Sequence, residues 1–438
     1  MFRIGIIGCG KIAQVRHLPE YAANPDVQIA ALTDLNEERT RELASRYGAK
    51  AYASAVELLA DPSIDAVSIC SANNSHAEMT IAALKAGKHV LCEKPMATTL
   101  EDCEAMARTA RQAGKLLMID QNQRLAPAHQ KAREWINAGK IGRPLTFRTR
   151  FAHGGPETWS ADPGSGTWFF DRKLAAMGVL ADLGIHKTDL IQFLLGQKVT
   201  EVTAFLTTLD KRFSDGSLIS LDDNALCLYK MSGGAVGTMT ASWTHYGQED
   251  NSTEIDGTEG ALRIYADPEH ALVLNRKDGT SEIWDGGAIQ TNADQTRSGV
   301  IDLFVECLKN PKVEGMSADS VLPAMRAVFA AIQSSKEGRT VRCCGLSAIS
   351  PASSFTLQLP QIPLPPQGNS MPRSCIASLS SAPRATCKVR PSGTSVTVHV
   401  FFIGRWGWKG APTAGKPTKG SECAADMQMK RVRANTFT

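Results

Sequence analysis

The stretch RIGIIGCGKIA at residues 3–13 carries a short apolar run directly into glycines. It places Gly8, Gly10 and Ala13 in the order G-x-G-x-x-G/A, the pattern of a turn between a first strand and a first helix that binds a dinucleotide. Gly8 permits the tight turn, and Gly10 lets the backbone approach a pyrophosphate. The small Ala13 allows the helix to pack closely on the strand while its N-terminus faces the phosphates.

A second β-like run, VQIAALTD at 27–34, ends on a carboxylate at about the distance from the glycines where a ribose-binding acid is expected. Asp34 would accept hydrogen bonds from both ribose hydroxyls and would repel a 2′-phosphate. The next residues, Leu35 and Asn36, supply no arginine to receive such a phosphate. The pattern therefore predicts NAD in preference to NADP, against the simpler interpretation that Asp34 only ends a strand.

Helical and β-like segments alternate through the first 120 residues. The apolar runs AVSICS, HVLCEK and LLMID are separated by the amphipathic segments HAEMTIAALKAG and LEDCEAMARTARQAG. This alternation predicts a doubly wound parallel sheet, in which ligands lie beyond the carboxyl ends of the strands. The segments SANNSH at 71–76 and CEKP at 92–95 fall at such ends.

Another candidate for chemistry is ADLGIHKTDL at 181–190, which sets polar groups into an otherwise apolar segment. Asp182 and His186 are four residues apart and would lie side by side on one face of a helix, with Asp189 three residues further on. Taken alone, the fragment also fits a helix start with an aspartate near its positive end and a histidine satisfied in a core. Other parts of the chain must distinguish these interpretations.

Five stretches, taken in order, resemble the Gfo/Idh/MocA family of oxidoreductases, named for glucose-fructose oxidoreductase, inositol dehydrogenase and a rhizopine-catabolism protein. They are GIIGCGKIA, SANNSHAEMTIAALKAGKHVLCEKP, NQRLAP, GKIGRP and GVLADLGIHKTDL. The resemblance covers roughly residues 1–342 and implies an α/β protein: a Rossmann domain at 1–121, then an α/β domain at 122–342 with a large, mostly antiparallel open sheet. Such a second domain usually carries the substrate side and an oligomer interface, so a homodimer or homotetramer is expected.

The resemblance also implies a catalytic group. The lysine of the family's E-K-P motif and the Asp and His of its D-x-x-x-H motif meet at the nicotinamide, and the matching residues are Lys94, Asp182 and His186. Oxidising a secondary alcohol removes a hydride from carbon and a proton from oxygen, so a base must reach the hydroxyl. The imidazole of His186 titrates near neutrality and suits that role, whereas Lys94 can orient the substrate oxygen and Asp182 can hold the lysine or the substrate. The Lys-Pro peptide of the family is often cis, and Lys94–Pro95 is expected to be cis as well.

Further binding residues follow from the same resemblance. Ser71 and Ala72 replace the usual Thr and Pro of the family's T-P-N-x-x-H loop, which is expected to loosen the fit of that loop to the cofactor. His17, soon after the glycines, could approach the substrate cleft, but a lone histidine is more often structural and is interpreted so here. The predicted cofactor-binding residues are Gly8, Gly10, Lys11, Ile12, Asp34, Ser71, Asn73, His76, Glu93, Lys94 and Asn122. The predicted substrate residues are Arg124, His153, Trp159 and Trp168. The last three belong to the glycine- and aromatic-rich segment 151–173, which also fits an ordinary surface loop or an oligomer contact.

The composition is typical of a globular protein of more than one domain. Of 438 residues, 43% are hydrophobic and 21% charged, and neither a membrane span nor a secretory leader is predicted, so a cytoplasmic protein is expected. Eleven cysteines are scattered along the chain, several inside apolar runs. They are interpreted as buried thiols, and no metal site is predicted, because no His/Cys/Glu cluster has ligand spacing.

Residues 343–438 differ from the rest of the chain. Ten of the 21 prolines and eleven Lys or Arg lie there with only two acidic residues, so this tail carries a net charge of +9 and the preceding residues −5. The basic residues are dispersed, so a nucleic-acid partner is not expected and disorder is predicted. The abrupt start is also typical of translation in a shifted reading frame. A chain that ends at Arg342 is expected to keep its fold and activity.

Three functions remain open from the sequence. The leading one is an NAD-dependent dehydrogenase that acts on a hydroxyl of a sugar or cyclic polyol, inositol-like substrates included. A glycosidase of the same family, which oxidises its substrate transiently, would share nearly all the motifs and differ in releasing no net NADH. A non-catalytic NAD-sensing protein is the third. The presence of Lys94, Asp182 and His186 together argues against it, because a sensor needs no proton relay.

Overall fold

A computed structural model describes the chain at residues 1–287, 289 and 297–344, and in two short strands of the tail. Those strands, Thr386–Val389 and Val396–His399, pair with each other antiparallel. The remainder of the tail, for which disorder is predicted, lies outside the described residues. Among the helices that the structure describes, none is long and apolar enough to cross a membrane.

The N-terminal alternation forms a six-stranded sheet, as predicted. Its strands are β1 (Phe2–Ile7), β2 (Val27–Thr33), β3 (Lys50–Ala51), β4 (Ala66–Ile69), β5 (His89–Cys92) and β6 (Leu117–Ile119). The helices between them are α1 (Leu18–Ala23), α2 (Glu37–Tyr47), α3 (Ala55–Ala60), α4 (His76–Lys85) and α5 (Leu100–Ala113). All strand pairs are parallel, in the order β3-β2-β1-β4-β5-β6. In this order the strand sequence reverses beside β1, which is where doubly wound sheets bind their ligands.

Side-chain caps and glycines set the ends of the longer helices that connect the strands of this sheet. The side chain of Asn36 accepts a hydrogen bond from the Arg39 N–H at the start of α2, and Thr99 does the same for Asp102 at the start of α5. Such N-caps typically stabilise a helix by about 1 kcal/mol. A glycine in the left-handed conformation follows each of these helices, with φ of 61° at Gly114 after α5.

The later β-like runs form a second sheet of nine strands. They are β7 (Pro144–Ala152), β8 (Val199–Thr207), β9 (Asn224–Met231), β10 (Val236–Ser242), β11 (Thr253–Gly257), β12 (Gly260–Ile264), β13 (Leu272–Arg276), β14 (Ser281–Trp284) and β15 (Val341–Arg342). Their order is β14-β13-β12-β11-β7-β10-β9-β8-β15. Only the β7–β10 pair among these described strands is parallel, so the sheet is mostly antiparallel, as predicted.

Helices cover one face of the second sheet and leave the other exposed. The helices against this sheet are α6 (Pro127–Asn137), α8 (Ile185–Leu195) and α10 (Ala318–Glu337), and the other helices in this part of the chain are α7 (Arg172–Ala175) and α9 (Val300–Lys309). Along β9, Cys227, Tyr229 and Met231 point into the core, whereas Leu226 and Leu228 between them are exposed. The exposed face is therefore partly apolar, which is unusual for a strand with one face in water.

Helix α9 packs with the first sheet although it lies far along the chain. Val300, Phe304 and Val305 are buried in the same core as Ile4 and Leu32 of β1 and β2. The core of the first sheet thus includes residues from beyond position 299. The division of the chain at residues 121 and 342 stays a prediction.

The cysteines behave as the sequence predicts. Eight of them lie in the described residues, all as free thiols. Seven of these are buried and Cys344 is exposed. Burial raises the pKa of the Cys9, Cys92 and Cys227 thiols to about 12, so these groups stay protonated and inert.

The contacts of the last strand, β15, bear on what removal of the tail should do to stability and activity. Arg342 pairs with Glu201 in the β15–β8 ladder, and the Cys343 N–H donates to the Thr200 carbonyl at 2.9 Å. We expect a chain that ends at Cys344 to match the full-length chain in thermal unfolding and turnover. A chain that ends at Arg342 should keep its fold and activity but lose about 1 kcal/mol of stability with that hydrogen bond. A large loss in the chain ending at Cys344 would show that the tail is required.

Candidate active site

A cleft of about 510 Å³ opens at the carboxyl ends of the strands of the first sheet. Gly10 after β1, Asp34 after β2, Ser71 after β4, Glu93 after β5 and Asp120 after β6 all line it. The cleft is therefore where a doubly wound sheet binds its ligand. Its facing wall comes from the segment 151–173 and from the start of α8.

The glycine turn forms the floor of the cleft. Gly8 has φ of 96°, and a Cβ there would lie only 2.5 Å from the Ser71 backbone nitrogen. No larger residue fits where these two loops approach each other. A Cβ on Gly10 would meet only the Cys70 carbonyl oxygen, at 4.0 Å, so this position leaves open space at the cleft. Two further predicted residues line the cleft beside Gly10: Lys11 and Ile12.

Asp34 lines the cleft at the end of β2, where its carboxylate accepts from the Cys9 N–H at 2.6 Å and the Asn36 N–H at 2.8 Å. These bonds fix the carboxylate against the glycine turn. Arg39 on α2 also lines the cleft, and it pairs with Asp162 of the facing wall at 2.9 Å. Sequence reasoning missed Arg39, because it considered only the two residues that follow Asp34 directly.

The 71–76 loop is held to its neighbours by side chains. Asn73 is buried and donates to the Ala175 carbonyl at 3.0 Å. The ring nitrogens of buried His76 lie 2.8 Å from the Pro95 carbonyl oxygen and 3.1 Å from that of Ser71. Burial lowers the pKa of His76. Both side chains line the cleft, and their polar atoms also brace the loops around it.

Lys94 and Asp182 meet at the centre of the cleft, as the resemblance implies. The Lys94 ammonium donates to Asp182 Oδ1 at 2.7 Å, and the Trp243 indole N–H donates to Asp182 Oδ2 at 3.0 Å. Asp182 is 4% exposed, so the carboxylate is held between two donors with little access to water. The Lys94–Pro95 peptide bond is cis, as expected.

His186 lines the same cleft at the beginning of α8. The preceding segment, Leu180–Gly184, is a π-helical turn rather than the regular α-helix that the spacing predicts. Burial and the charge of Lys94 lower the pKa of His186 well below its ordinary value. The imidazole is therefore neutral near pH 7 and able to accept a proton.

A second polar cluster lies at the ends of β5 and β6. His17, in a π-helical segment before α1, places Nε2 3.0 Å from Glu93 Oε1 and 3.8 Å from Asp120 Oδ2. Burial favours the neutral form of Glu93, but the His17 hydrogen bond and the neighbouring positive charges outweigh it and lower the pKa of Glu93. Burial and the charge of Glu93 raise the pKa of Asp120. His17 is completely buried.

Aromatic side chains form the facing wall of the cleft. Trp168 and Phe169 stack with ring centroids 4.0 Å apart, and Trp159 packs edge-on against Phe169. All three line the cleft. The Trp159 indole nitrogen is buried and has no hydrogen-bond partner among the described residues. The wall thus offers flat apolar surface to the cleft.

Two of the predicted substrate residues lie elsewhere. The Arg124 guanidinium binds the carboxylate of buried Asp189 with two bonds, at 2.5 and 2.6 Å, and lines a separate pocket with Phe193. Its charge is satisfied there, and Arg124 is absent from the cleft lining as far as the structure describes it. His153 is buried behind Trp159 and is absent from the cleft wall as far as the structure describes it.

Two cleft residues carried no pattern that the sequence could reveal. Asn122 lines the cleft as predicted, but its neighbour Gln123 does so too and donates to the Asn251 side chain at 3.0 Å. Asn251 also lines the cleft, and the fully buried Lys187 donates to its carbonyl at 2.8 Å. These residues are distant in sequence, and only the fold brings them together.

Two family models match the chain. The first, described as an oxidoreductase family with an NAD-binding Rossmann fold, matches residues 2–121. The second, described as a GFO/IDH/MocA C-terminal domain, matches residues 129–263.

Individual relatives agree with the family models. Myo-inositol 2-dehydrogenase of Thermotoga maritima is 30% identical over 356 residues, which cover 78% of this chain and 98% of the relative. Levoglucosan dehydrogenase of Pseudarthrobacter phenanthrenivorans is 32% identical over 287 residues, 59% of this chain and 72% of the relative. The solved structure of levoglucosan dehydrogenase in complex with NADH and levoglucosan superimposes with a TM-score of 0.69 at 25% identity, over 78% of this chain and 98% of the other.

Proposed function

Because the chain belongs to the Gfo/Idh/MocA family of NAD-binding oxidoreductases, we propose that it transfers a hydride between a hydroxyl-bearing carbon of a neutral sugar or cyclic polyol and NAD. The observation that carries this proposal is the convergence of Lys94, Asp182 and His186 on one cleft at the carboxyl ends of the first sheet. The names of the relatives support the substrate class.

The cofactor would occupy the half of the cleft beside the first sheet. Gly8 and Gly10 leave room for the pyrophosphate at the helix N-terminus, and Asp34 would receive the ribose hydroxyls. NAD supplies the hydride acceptor when bound. Lys11, Ile12, Ser71, Asn73, His76, Glu93 and Asn122 are proposed as the remaining cofactor-binding residues.

The chain's own residues would move the proton. His186 is the proposed base, because its neutral imidazole can accept the hydroxyl proton. Lys94 would donate a hydrogen bond to the substrate oxygen and so orient it. Asp182, itself held by Trp243, would fix the lysine in that position.

The facing wall supports a sugar-like substrate. Trp159 and Trp168 present flat apolar surfaces of the kind that pack against the C–H faces of a ring, while Gln123 and Asn251 present amide groups that can bind hydroxyls. Two of the cations that line the cleft are already engaged, since Lys94 pairs with Asp182 and Arg39 with Asp162. A neutral substrate therefore fits this half of the cleft better than an acidic one.

A panel of sugars and polyols offered with NAD tests the proposal. We expect absorbance of NADH to rise with at least one cyclic polyol or sugar, and the product to be the matching ketone or lactone. Hydrolysis of a glycoside without net NADH would instead identify the transient-oxidation reaction. Tight NAD binding with no turnover across the panel would count against a dehydrogenase.

The pH dependence of turnover tests the role of His186. Because its pKa lies well below the ordinary value, oxidation should keep its rate as the pH falls through about 6.5 and lose it only at lower pH, where the imidazole becomes protonated. kcat/KM for the best substrate, measured across this range, locates the acid limb. In Lys94→Met one cause of the lowered pKa is gone, so the limb should move to higher pH. An acid limb at or above pH 6.5 in the native chain would contradict the prediction.

The selection of NAD over NADP is predicted to depend on Asp34. Asp34→Ala should reduce the preference for NAD at least about tenfold, the ratio that 1.4 kcal/mol produces, because the carboxylate that repels a 2′-phosphate is gone. Arg39 lies close enough to the cleft to receive that phosphate. The double variant Asp34→Ala/Arg39→Ala is the control and should gain less NADP affinity. Competitive titration with both nucleotides measures the ratio of the two affinities in each variant. Tighter binding of NADP than of NAD by the native chain would refute the prediction.

The exposed face of the second sheet supports the proposal of a homodimer or homotetramer. Phe205, Leu226, Leu228 and Val236 present apolar side chains there, and such a patch on a sheet typically marks an interface. We also propose a cytoplasmic location, since the eight cysteines of the described residues are free thiols, as in a reducing compartment. Residues 1–121 and 122–342 are the proposed cofactor and substrate domains.

A further inference from the structure

His17, Glu93 and Asp120 bring three metal-ligating side chains to one point. One ligand atom from each lies within 4.8 Å of those of the other two. Ligands of a tetrahedral zinc ion stand roughly 3.4 Å apart, given bonds of about 2.1 Å. The distances from His17 Nε2, 3.0 Å to Glu93 and 3.8 Å to Asp120, fall on either side of that value.

Asp120 has no partner that accounts for its burial. It is 1% exposed, and neither carboxyl oxygen has a hydrogen-bond partner among the described residues. The second ring nitrogen of His17 is also buried without one there. Buried polar groups are nearly always paired, and two neighbouring carboxyls are costly unless a proton or a cation lies between them.

Lys94 and Arg16 are the cations whose charges act on Glu93. Lys94 follows Glu93 directly, but its ammonium group lies on Asp182 at 2.7 Å. The buried Arg16 side chain contributes a second positive charge near both carboxyls. One imidazole nitrogen and two carboxylate oxygens therefore converge on the point between His17, Glu93 and Asp120.

We propose that His17, Glu93 and Asp120 form a binding site for a divalent transition-metal ion. One imidazole nitrogen and two carboxylates suit Zn²⁺, Mn²⁺ or Co²⁺, whereas Ca²⁺ and Mg²⁺ prefer oxygen ligands alone. Three protein ligands leave at least one coordination position open. Glu93 and Asp120 both line the cleft, so that position faces the space where the cofactor and substrate would meet.

The site has no local sequence pattern. His17 and Glu93 are 76 residues apart, and they come from the first helical segment and the end of β5. The expectation of no metal site rested on the absence of closely spaced ligands, which is a property of the sequence and not of this fold. A divalent ion here would tie the first helical segment to the ends of β5 and β6.

Cobalt titration of the full-length chain, stripped with a chelator and without added nucleotide, tests the proposal. We expect one Co²⁺ per chain with visible d–d absorption and no near-ultraviolet thiolate-to-cobalt band, because the ligands are nitrogen and oxygen. Zn²⁺ should displace it. Asp120→Asn keeps the shape of the side chain but should weaken Co²⁺ binding at least about tenfold.

Glu249→Gln is the matched control, since Glu249 also has a buried carboxylate oxygen without a partner in the described residues but lies outside the cluster. It should bind Co²⁺ as the native chain does. His17→Gln serves as the second ligand variant, and circular dichroism verifies the fold of each. Unchanged binding in both ligand variants, a thiolate band, or no binding by the native chain would overturn the proposal and leave a shared proton between the carboxyls. None of these readouts depends on dehydrogenase activity.

Discussion

We expect the replacement of His186 with Asn to lower turnover by about 10²- to 10⁴-fold and to leave NAD affinity almost unchanged. Asparagine keeps a polar group of similar reach but cannot take the hydroxyl proton. The glycine turn and Asp34 are untouched, so the cofactor should bind as before. Titration with NAD and turnover on the best substrate of the panel separate the two effects, because a lost transition-state interaction lowers kcat and kcat/KM together.

His89→Asn is the control for loss of an imidazole as such. The ring of His89 accepts a hydrogen bond from the Leu116 N–H at 3.0 Å, away from the cleft lining. We expect this variant to lose some stability and to keep its turnover. Near-normal turnover in His186→Asn would show that His186 is not the base. The polar face that His186 shares with Asp182 would then be structural.

The second large effect is expected for Lys94. Lys94→Met keeps the length of the side chain but removes the ammonium group, which leaves the buried Asp182 carboxylate with only the Trp243 indole as a donor. Breaking a buried ion pair from one side typically costs 3–5 kcal/mol, so roughly that loss of stability should accompany a fall in turnover of about 10²-fold or more. Because Lys94 is partly exposed, the lower end of that stability range applies.

Asp182→Asn completes a double-mutant cycle with Lys94→Met. If Asp182 acts through the lysine, the double variant should be little slower than Lys94→Met alone, since residues that act as a unit are not additive. The loss of stability measured by thermal unfolding should also be less than additive, because the double variant no longer carries the Asp182 carboxylate that Lys94→Met leaves without its ion pair. Fully additive losses in turnover would mean that Asp182 acts on the substrate independently of Lys94.

The sequence predicts the architecture well because each part of it has a local cause. The apolar strands, the capped helices and the glycine turn are each encoded within a short segment. Gly8 is an example, since a side chain at that position would clash with the backbone of the neighbouring loop. The contact of Lys94 with Asp182 also follows from the resemblance to the family, although 88 residues separate them. These predictions needed the order of motifs and no coordinates.

Other features depend on contacts that no pattern encodes. Arg124 was expected beside the substrate, but the buried Asp189 holds its guanidinium in another pocket. Asp120 follows a strand like many aspartates, and only the positions of His17 and Glu93 make it unusual. The π-helical turn at Leu180–Gly184 likewise has no sequence marker, since Asp182 and His186 keep the spacing of an ordinary helix.

The position of helix α9 bears on how the chain folds as it is synthesised. Phe304 and Val300 fill the core beside Ile4, so the nucleotide-binding sheet cannot complete its apolar interior until residues beyond 300 have left the ribosome. An emerging N-terminal fragment would expose that surface while the whole second sheet is still being translated. Such exposure favours aggregation and engagement by chaperones. Folding of the first domain is thereby coupled to completion of the second, even though the strands of its sheet are contiguous in sequence.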